Sequence, residues 1–328
     1  MRTMSSSSLA AFVHQLRYEA AGTISVELRP LAPATAFAQP VQAGAHIDLH
    51  LADGLTRSYS LTNPGESHRY VVAVALDKTS RGGSRFVHES LRVGQHLAVG
   101  GPRNHFALDE EAPYSVLVAG GIGITPIYAM LQRLAALGRP AHLIYCAGRR
   151  QGAAFITEIE SLAAASQGRL SVDWHFKDER GARADLPRLL AGHPTGTHFY
   201  CCGPLPLLDA YEQACERLGL PHVHLERFAA APLAAPQTPQ DGYAVELRKS
   251  GKTVHVAPGI ALLDALIDAG MNPEYSCREG VCGACEVKVL CGDVDHRDLI
   301  LSKQEQAANR SMMICVSGCK SGNLVLDY

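Results

Sequence analysis

The sequence predicts a multidomain chain: an antiparallel β unit, then an α/β unit with a mostly parallel sheet, then a small cysteine-rich unit. Three observations carry this reading. The first hundred residues break into short apolar runs of period two, separated by turn residues. From Tyr114 onward, short apolar strands alternate with helical stretches, the pattern of βαβ units. No cysteine precedes Cys146, whereas Cys277, Cys282, Cys285, Cys291, Cys315 and Cys319 crowd the final stretch. A chain of 328 residues with a hydrophobic fraction of 47% is also longer than a single core usually grows.

The first unit, residues 1–110, is read from HQLRYEAAGTISVELRP, HIDLHL, TRSYSLTN and RYVVAVAL, with AGAH, ADGL and NPGES as punctuation. That pattern fits a small antiparallel barrel or sandwich. The polar start, MRTMSSSSLA, is expected to lead loosely into the first strand. It lacks the apolar core and cleavage site of a secretory signal. The second unit, 111–228, has strands at YSVLVAG, AHLIYCAG, LSVDWHF and GTHFYCCG and helices at YAMLQRLAALG and AAFITEIESLAAA. AAAPLAAPQTPQD, residues 229–241, is rich in Ala, Pro and Gln and has no periodic face, so it reads as a linker. The third unit, 242–328, opens with a hairpin turning near Ser250 and Gly251. A helix with Leu262, Leu263, Leu266 and Ile267 on its apolar side follows.

Lys plus Arg total 30 against 32 Asp plus Glu, a net charge of −2. Nucleic-acid binding needs a basic surplus, so it is excluded. No apolar run reaches the roughly 18 residues of a membrane span. Clustered thiols without a signal point to a reducing, cytoplasmic setting in which cysteines bind metal.

Cys277, Cys282 and Cys285 form C-x4-C-x2-C, and 29 residues separate Cys285 from Cys315. The intervening SCREGVCGAC is rich in small residues. Gly280 and Gly283 lack a Cβ and allow close backbone approach, and Ser276, Arg278 and Ala284 offer backbone donors. This spacing matches the plant-type [2Fe–2S] pattern. A four-thiolate zinc site is the rival, but zinc usually takes paired C-x2–4-C ligands on both sides. Cys291 and Cys319 read as spare thiols.

Residues 242–328 therefore resemble a plant-type ferredoxin. The chain from about residue 12 resembles the FMN-dependent single-chain reductases of Rieske-type oxygenases, such as those of phthalate dioxygenase and vanillate O-demethylase. The resemblance implies a β-barrel flavin domain, a nicotinamide domain and a β-grasp ferredoxin domain, in that order. It assigns the cluster to Cys277, Cys282, Cys285 and Cys315.

Arg57-Ser58-Tyr59-Ser60-Leu61 lies on one strand. Alternation puts Arg57, Tyr59 and Leu61 on one side and Ser58 and Ser60 on the other. By the resemblance, Tyr59 packs on the isoalloxazine, Arg57 meets the phosphate and Ser60 lies near N5. The following SRGGSRF offers Gly82, Gly83 and Ser84 as an anion nest at a helix start. Leu76, with Asp77, sits at the strand end before it. No aromatic suited to stacking on an adenine is evident there, which favours FMN over FAD.

LVAGGIGITP places Gly120, Gly121 and Gly123 between a buried strand and a helix, where the turn comes close to a pyrophosphate. Thr125 is the expected hydroxyl ligand, and Pro126 fits the first helical turn. By resemblance Cys202-Gly203-Pro204 borders nicotinamide and flavin, and Phe228 shields the flavin ring. A domain-end core residue is the plainer reading of Phe228. Ser60, Cys202 and Phe228 are thus the candidate catalytic set, acting by positioning rather than covalent attack. Arg149 and Arg150, after the second strand, suit a 2′-phosphate, whereas the family favours NADH. The adopted reading is NADH with Arg149 at the cofactor. His222-x-His224-x-Glu226 has the composition of a metal set, but a plain strand is expected. His14, His46 and His50 read as surface or core residues, and GDVDHRD as a solvated turn.

The function implied is electron transfer from NADH through FMN and a [2Fe–2S] cluster to a separate Rieske-type oxygenase. That partner would dock transiently around Arg278 to Ala284 on a monomeric reductase. The alternatives are an FAD- or NADPH-using reductase feeding a diiron hydroxylase or cytochrome P450, and an iron–sulfur redox sensor with an impaired flavin site.

Overall fold

The computed structural model describes residues 9–32, 36–37, 40–52, 55–77, 81–228, 239 and 241–328. The chain divides into two compact units, Met1–Phe228 and Ala229–Tyr328. The linker expected over 229–241 falls almost wholly outside the described residues, as do residues 1–8 and Ser80 of the SRGGS run.

In the first unit six strands form one antiparallel sheet: β1 (Leu9–Ala20), β2 (Thr23–Pro30), β3 (His46–His50), β4 (Thr56–Ser60), β5 (Tyr70–Ala75) and β6 (His96–Arg103). Their order is β4-β3-β6-β1-β2-β5. A bridge from Leu61 to Val72 links the two edges, and Thr62 N–H donates to Val71 O at 2.8 Å. The sheet thereby curls into a barrel, which satisfies edges that would otherwise be open. Alternation fills it: Val26, Leu28, Ile47, Leu49, Leu61, Tyr70, Val72 and Val99 are buried. Helix α1 (Gly83–Glu89) follows β5.

The same unit carries a second sheet, entirely parallel, of β7 (Ser115–Gly120), β8 (Ala141–Ala147), β9 (Leu170–Phe176), β10 (His198–Cys202) and β11 (Val223–Glu226). Its order is β11-β10-β7-β8-β9. Every residue of β7 is buried, as a central parallel strand covered on both faces requires. Helices α2 (Ile124–Leu137), α3 (Ile156–Ala165), α4 (Lys177–Arg180), α5 (Leu186–Leu190) and α6 (Leu205–Leu218) make or flank the crossovers. Helix α2 ends at Gly138, a left-handed cap with φ 67°. The reversal of strand order beside β7 puts a ligand crevice at the carboxyl ends of β7 and β10.

The second unit is a mixed sheet of β12 (Tyr243–Leu247), β13 (Lys252–Val256), β14 (Glu286–Cys291), β16 (Ser311–Met313) and β18 (Asn323–Leu326). A two-stranded pair, β15 (Val294–Asp295) and β17 (Gly318–Cys319), stands beside it. Strands β12 and β18 run parallel at its centre. Helix α7 (Leu262–Asp268) lays Leu262, Leu263 and Leu266 on the core. Helix α8 (Lys303–Ala308) starts with a Ser302–Glu305 capping box.

One local expectation is overturned. GDVDHRD is not a solvated turn: Asp295 is 5% exposed and Asp298 3%. The acids are buried because β15 pairs with β17 and the chain then folds under the cysteine segment, where Leu299 N–H meets Gly280 O at 2.9 Å. Among the described residues no helix is long and apolar enough to cross a membrane.

Candidate functional site

Cys277, Cys282 and Cys285 lie on the irregular segment between α7 and β14, and Cys315 in the turn after β16. Cys282, Cys285 and Cys315 are buried. Their thiols contact one another in pairs: Cys277 with Cys282, Cys277 with Cys315, and Cys285 with Cys315. Backbone amides of Glu279 and Val281 serve Cys277, Ala284 serves Cys282 and Gly280 serves Cys315. Ala284 is one of the three donors expected from the sequence. The loop's curvature, with Arg278 at φ 60° and Gly280 at φ 68°, brings the amides of Glu279, Gly280 and Val281 to the sulfurs.

No group of three His, Cys, Asp or Glu among the described residues converges on a point suited to one ion. Thiols in pairs, with amide donors on the sulfurs, fit a two-iron cluster with two thiolates per iron. The hydrogen bond to Cys277, and burial, push the Cys282 thiol well above its ordinary range. Loading the site must therefore displace protons.

At the barrel, register sorts the RSYS strand. Arg57 and Tyr59 lie opposite Leu49 and Ile47, while Ser58 and Ser60 lie opposite Asp48 and His46. Ser58 Oγ donates to Asp48 Oδ1 at 2.7 Å, and Arg103 Nη2 to Asp48 Oδ2 at 2.6 Å. Ser58 is thus engaged in holding the strand to β6. Arg57 donates to Thr56 O and Arg81 O at 2.7 and 2.9 Å. It lies across Gly83, where a Cβ would come within 2.5 Å of Arg57 Cγ. The strand's cation and the glycine nest thus share one spot. Gly82, at φ 98°, precedes the helix, and Ser84 Oγ accepts from Asp77 N at 3.2 Å. Leu76 is 43% exposed beside them. Burial pushes the Tyr59 phenol up to about 12, so it presents a neutral ring. A cation over an amide nest, next to a neutral aromatic, fits the phosphate and ring of a flavin.

At the parallel sheet, Gly120 ends β7, and a 3-10 turn, Gly121–Gly123, leads into α2. A Cβ on Gly123 would stand 2.2 Å from Cys202 O. The glycine turn and the Cys202-Gly203-Pro204 turn therefore close on each other, with Pro204 capping α6. Gly121, at φ 54°, faces open space. Two expected groups turn inward. Thr125 is 2% exposed and its hydroxyl donates to Ile122 O at 3.0 Å, and Pro126 is buried beside it. The first turn of α2 is buried, so neither side chain faces outward. Cys202 is also fully buried, and burial, then Glu226, hold its thiol well above the usual range. Arg149 is exposed after β8. Arg150 pairs with Glu179 at 2.9 Å and lies 4.6 Å from the Phe176 ring centre. Phe228 is 40% exposed.

Sequence reasoning passed over Glu226 as a site residue. It pairs in register with Cys202. Its Oε2 is buried without a hydrogen-bond partner, and burial pushes its carboxyl up to about 8. Its Oε1 is 4.0 Å from Nδ1 of His46, the residue opposite Ser60. Glu226 closes an edge strand between Leu225 and Arg227, so nothing local in the sequence marked its burial. The metal reading of His222-x-His224-x-Glu226 meets a different arrangement: His224 stacks on Tyr200 at 4.5 Å and meets His198 at 3.2 Å.

Comparison with known proteins agrees with this layout. Residues 245–320 match the 2Fe-2S iron-sulfur cluster binding domain, and 101–225 match the N-terminal domain of dimethylamine monooxygenase subunit DmmA-like proteins. The chain is 50% identical to phenoxybenzoate dioxygenase subunit beta of Ectopseudomonas oleovorans over 96% of both chains. It is 40% identical to a vanillate O-demethylase oxidoreductase of a Pseudomonas strain, over 88% of this chain and 90% of the other. Its fold matches phthalate dioxygenase reductase at TM-score 0.69 and 33% identity, over 98% of both chains. It also matches a type IV self-sufficient cytochrome P450 monooxygenase at TM-score 0.88 and 38% identity, where 98% of this chain spans 41% of that one. The sites and these likenesses together make the chain a member of the [2Fe–2S] reductases of oxygenase systems.

Proposed function

We propose that this reductase takes hydride from NADH onto FMN and passes electrons singly, through a [2Fe–2S] cluster, to a separate Rieske-type oxygenase. The division of labour follows the sequence units: 1–110 for flavin, 111–228 for nicotinamide, 242–328 for the cluster, with 229–241 as linker. The observation that carries the reading is the meeting of Ser60, His46, Glu226 and Cys202, which joins the barrel's flavin strand to the end of the nicotinamide sheet. When bound, flavin supplies the conversion of a two-electron donor into single-electron steps. The residues bind and orient: Arg57 and the Gly82–Ser84 nest hold phosphate, and Tyr59 supports the ring. The Gly120–Gly123 turn receives the pyrophosphate, with Arg149 beside it, and Phe228 covers the ring's open face. Cys277, Cys282, Cys285 and Cys315 hold the cluster.

FMN is favoured over FAD because Phe86, the aromatic that follows the glycine nest, packs against the barrel core. NADH is favoured because Arg150 is already engaged by Glu179 and Phe176, which withdraws it from a 2′-phosphate. All ten cysteines are free, in keeping with a reducing cytoplasm, and the reductase is read as a monomer. A second reading, electron delivery to a cytochrome P450, is favoured by the P450 whose chain includes a part of this fold.

Extraction and identification of the flavin, then cytochrome c reduction with NADH against NADPH, tests the donor side. FAD, or a preference for NADPH, overturns that half. Cys315→Ser is expected to abolish the cluster spectrum while NADH still reduces the flavin. Pairing the reductase with a Rieske oxygenase and with a P450 decides the acceptor.

A further inference from the structure

Asp298 ties together the two segments that carry the cysteines. Its side chain has no solvent exposure. Oδ2 accepts from Ile300 N at 3.3 Å and Leu301 N at 2.9 Å, bonds that shape a local turn. Oδ1 reaches farther: it accepts from Ser317 Oγ at 3.3 Å, two residues past Cys315, and His296 Nδ1 lies 3.6 Å away. Ser317 Oγ in turn accepts from Arg297 N at 3.3 Å.

On its other side the Asp298 backbone presses on the cysteine loop. A Cβ on Gly280 would lie 3.1 Å from Asp298 Cα and 2.6 Å from Val316 Cγ2. Leu299 N–H donates to Gly280 O at 2.9 Å. Gly280 is also the residue whose amide serves the Cys315 sulfur. One buried carboxylate thus sets the orientation of the Gly280 peptide and the placement of the Cys315 turn. A local turn needs the Oδ2 bonds only. Neither the Oδ1 bond to Ser317 nor full burial of the carboxylate is required for it.

We infer that Asp298 is a positioning residue of the cluster, whose carboxylate fastens the Cys277–Cys285 segment to the turn carrying Cys315. The inference rests on the reading of those four cysteines as the ligands. A buried negative group beside the ligand loops also disfavours the extra electron of a reduced cluster, as hydrogen bonds and local charge set such potentials.

The test uses the full-length holoenzyme and Asp298→Asn, whose amide oxygen still accepts from Leu301 N. Cluster bleaching by a chelator, normalised to flavin content, is expected to run about tenfold faster, the scale of one buried hydrogen bond to a charged group. The cluster midpoint potential, read by EPR-monitored titration, is expected to rise. Bleaching and potential both equal to the unaltered protein would overturn the inference. If that variant does not accumulate, Ser317→Ala keeps the local turn and removes only the cross-link. Bleaching about threefold faster is then expected, and an unaltered rate overturns the inference. Failure of the ligand reading shows separately, as a cluster spectrum that survives Cys315→Ser.

Discussion

His46 Nδ1, on barrel strand β3, lies 4.0 Å from Glu226 Oε1, at the end of parallel-sheet strand β11. The contact joins the sheet that holds the flavin strand to the sheet that ends at the nicotinamide turn. It also places a carboxyl raised to about 8 by burial next to an imidazole, where the proposed function puts hydride transfer. An acid of this kind holds a proton near neutral pH and can give it up to a neighbour.

Glu226 leaves a mark on stability. Its folded-state value exceeds that of the unfolded chain, so the native form keeps a proton that the unfolded form has shed. Its contribution is complete below the unfolded value, near 4.5, and is lost as pH rises toward 8. Glu226→Gln, which cannot ionise, should flatten that fall by a few kcal/mol. Urea unfolding of the flavin-free protein at pH 5 and pH 8.5 measures it. An equal slope in both proteins would mean the carboxyl is already ionised.

His224 acts in the opposite direction. Burial, then the neighbouring His198, lower it to about 4, so the native form resists a proton that the unfolded chain accepts below about 6.5. Stability from this group is present above that pH and is lost as pH falls toward 4. His224→Gln should remove up to about 2 kcal/mol of the acid sensitivity, after allowance for partial exposure. Thermal melts from pH 7 to pH 4.5 read the difference.

Two glycines of one turn should behave differently. A β-carbon at Gly123 meets Cys202 O at 2.2 Å, whereas Gly121 has open space and only an unfavourable φ of 54°. Gly121→Ala should cost about 1 kcal/mol. Gly123→Ala must move backbone and should cost roughly 3 kcal/mol or more, with a raised KM for the nicotinamide. Melting temperatures and single-turnover flavin reduction separate them. Equal losses would argue against close packing of the two turns.

Arg57 should govern flavin retention. Arg57→Ala removes both carbonyl bonds and the cover over Gly83. Flavin affinity is expected to fall at least about tenfold. Arg57→Lys should recover only part, because an ammonium cannot span the two carbonyls as the planar guanidinium does. Fluorescence titration of the flavin-free protein gives both constants.

Much of this protein is legible one residue at a time. The period-two runs and the apolar YSVLVAG strand encode barrel and parallel sheet, because burial on one face or on two writes itself into local hydrophobicity. The C-x4-C-x2-C spacing is legible too, because three of the cysteines fall within nine residues of one loop. Asp298 and Glu226 were not legible. An acid in GDVDHRD, or one closing VHLE, carries no local sign of burial.

The sequence by itself determined the kinds of element, their order and the four cysteines, all properties of spacing and period. Tertiary structure alone decided that Arg57 lies across Gly83, that Cys202 closes on Gly123, and that Thr125 faces inward. It also decided that His46 meets Glu226. All but the Thr125 contact join residues far apart in the chain, and each depends on which face of an element is covered. Burial then changes their chemistry, because desolvation and missing partners act only once the chain has folded around them.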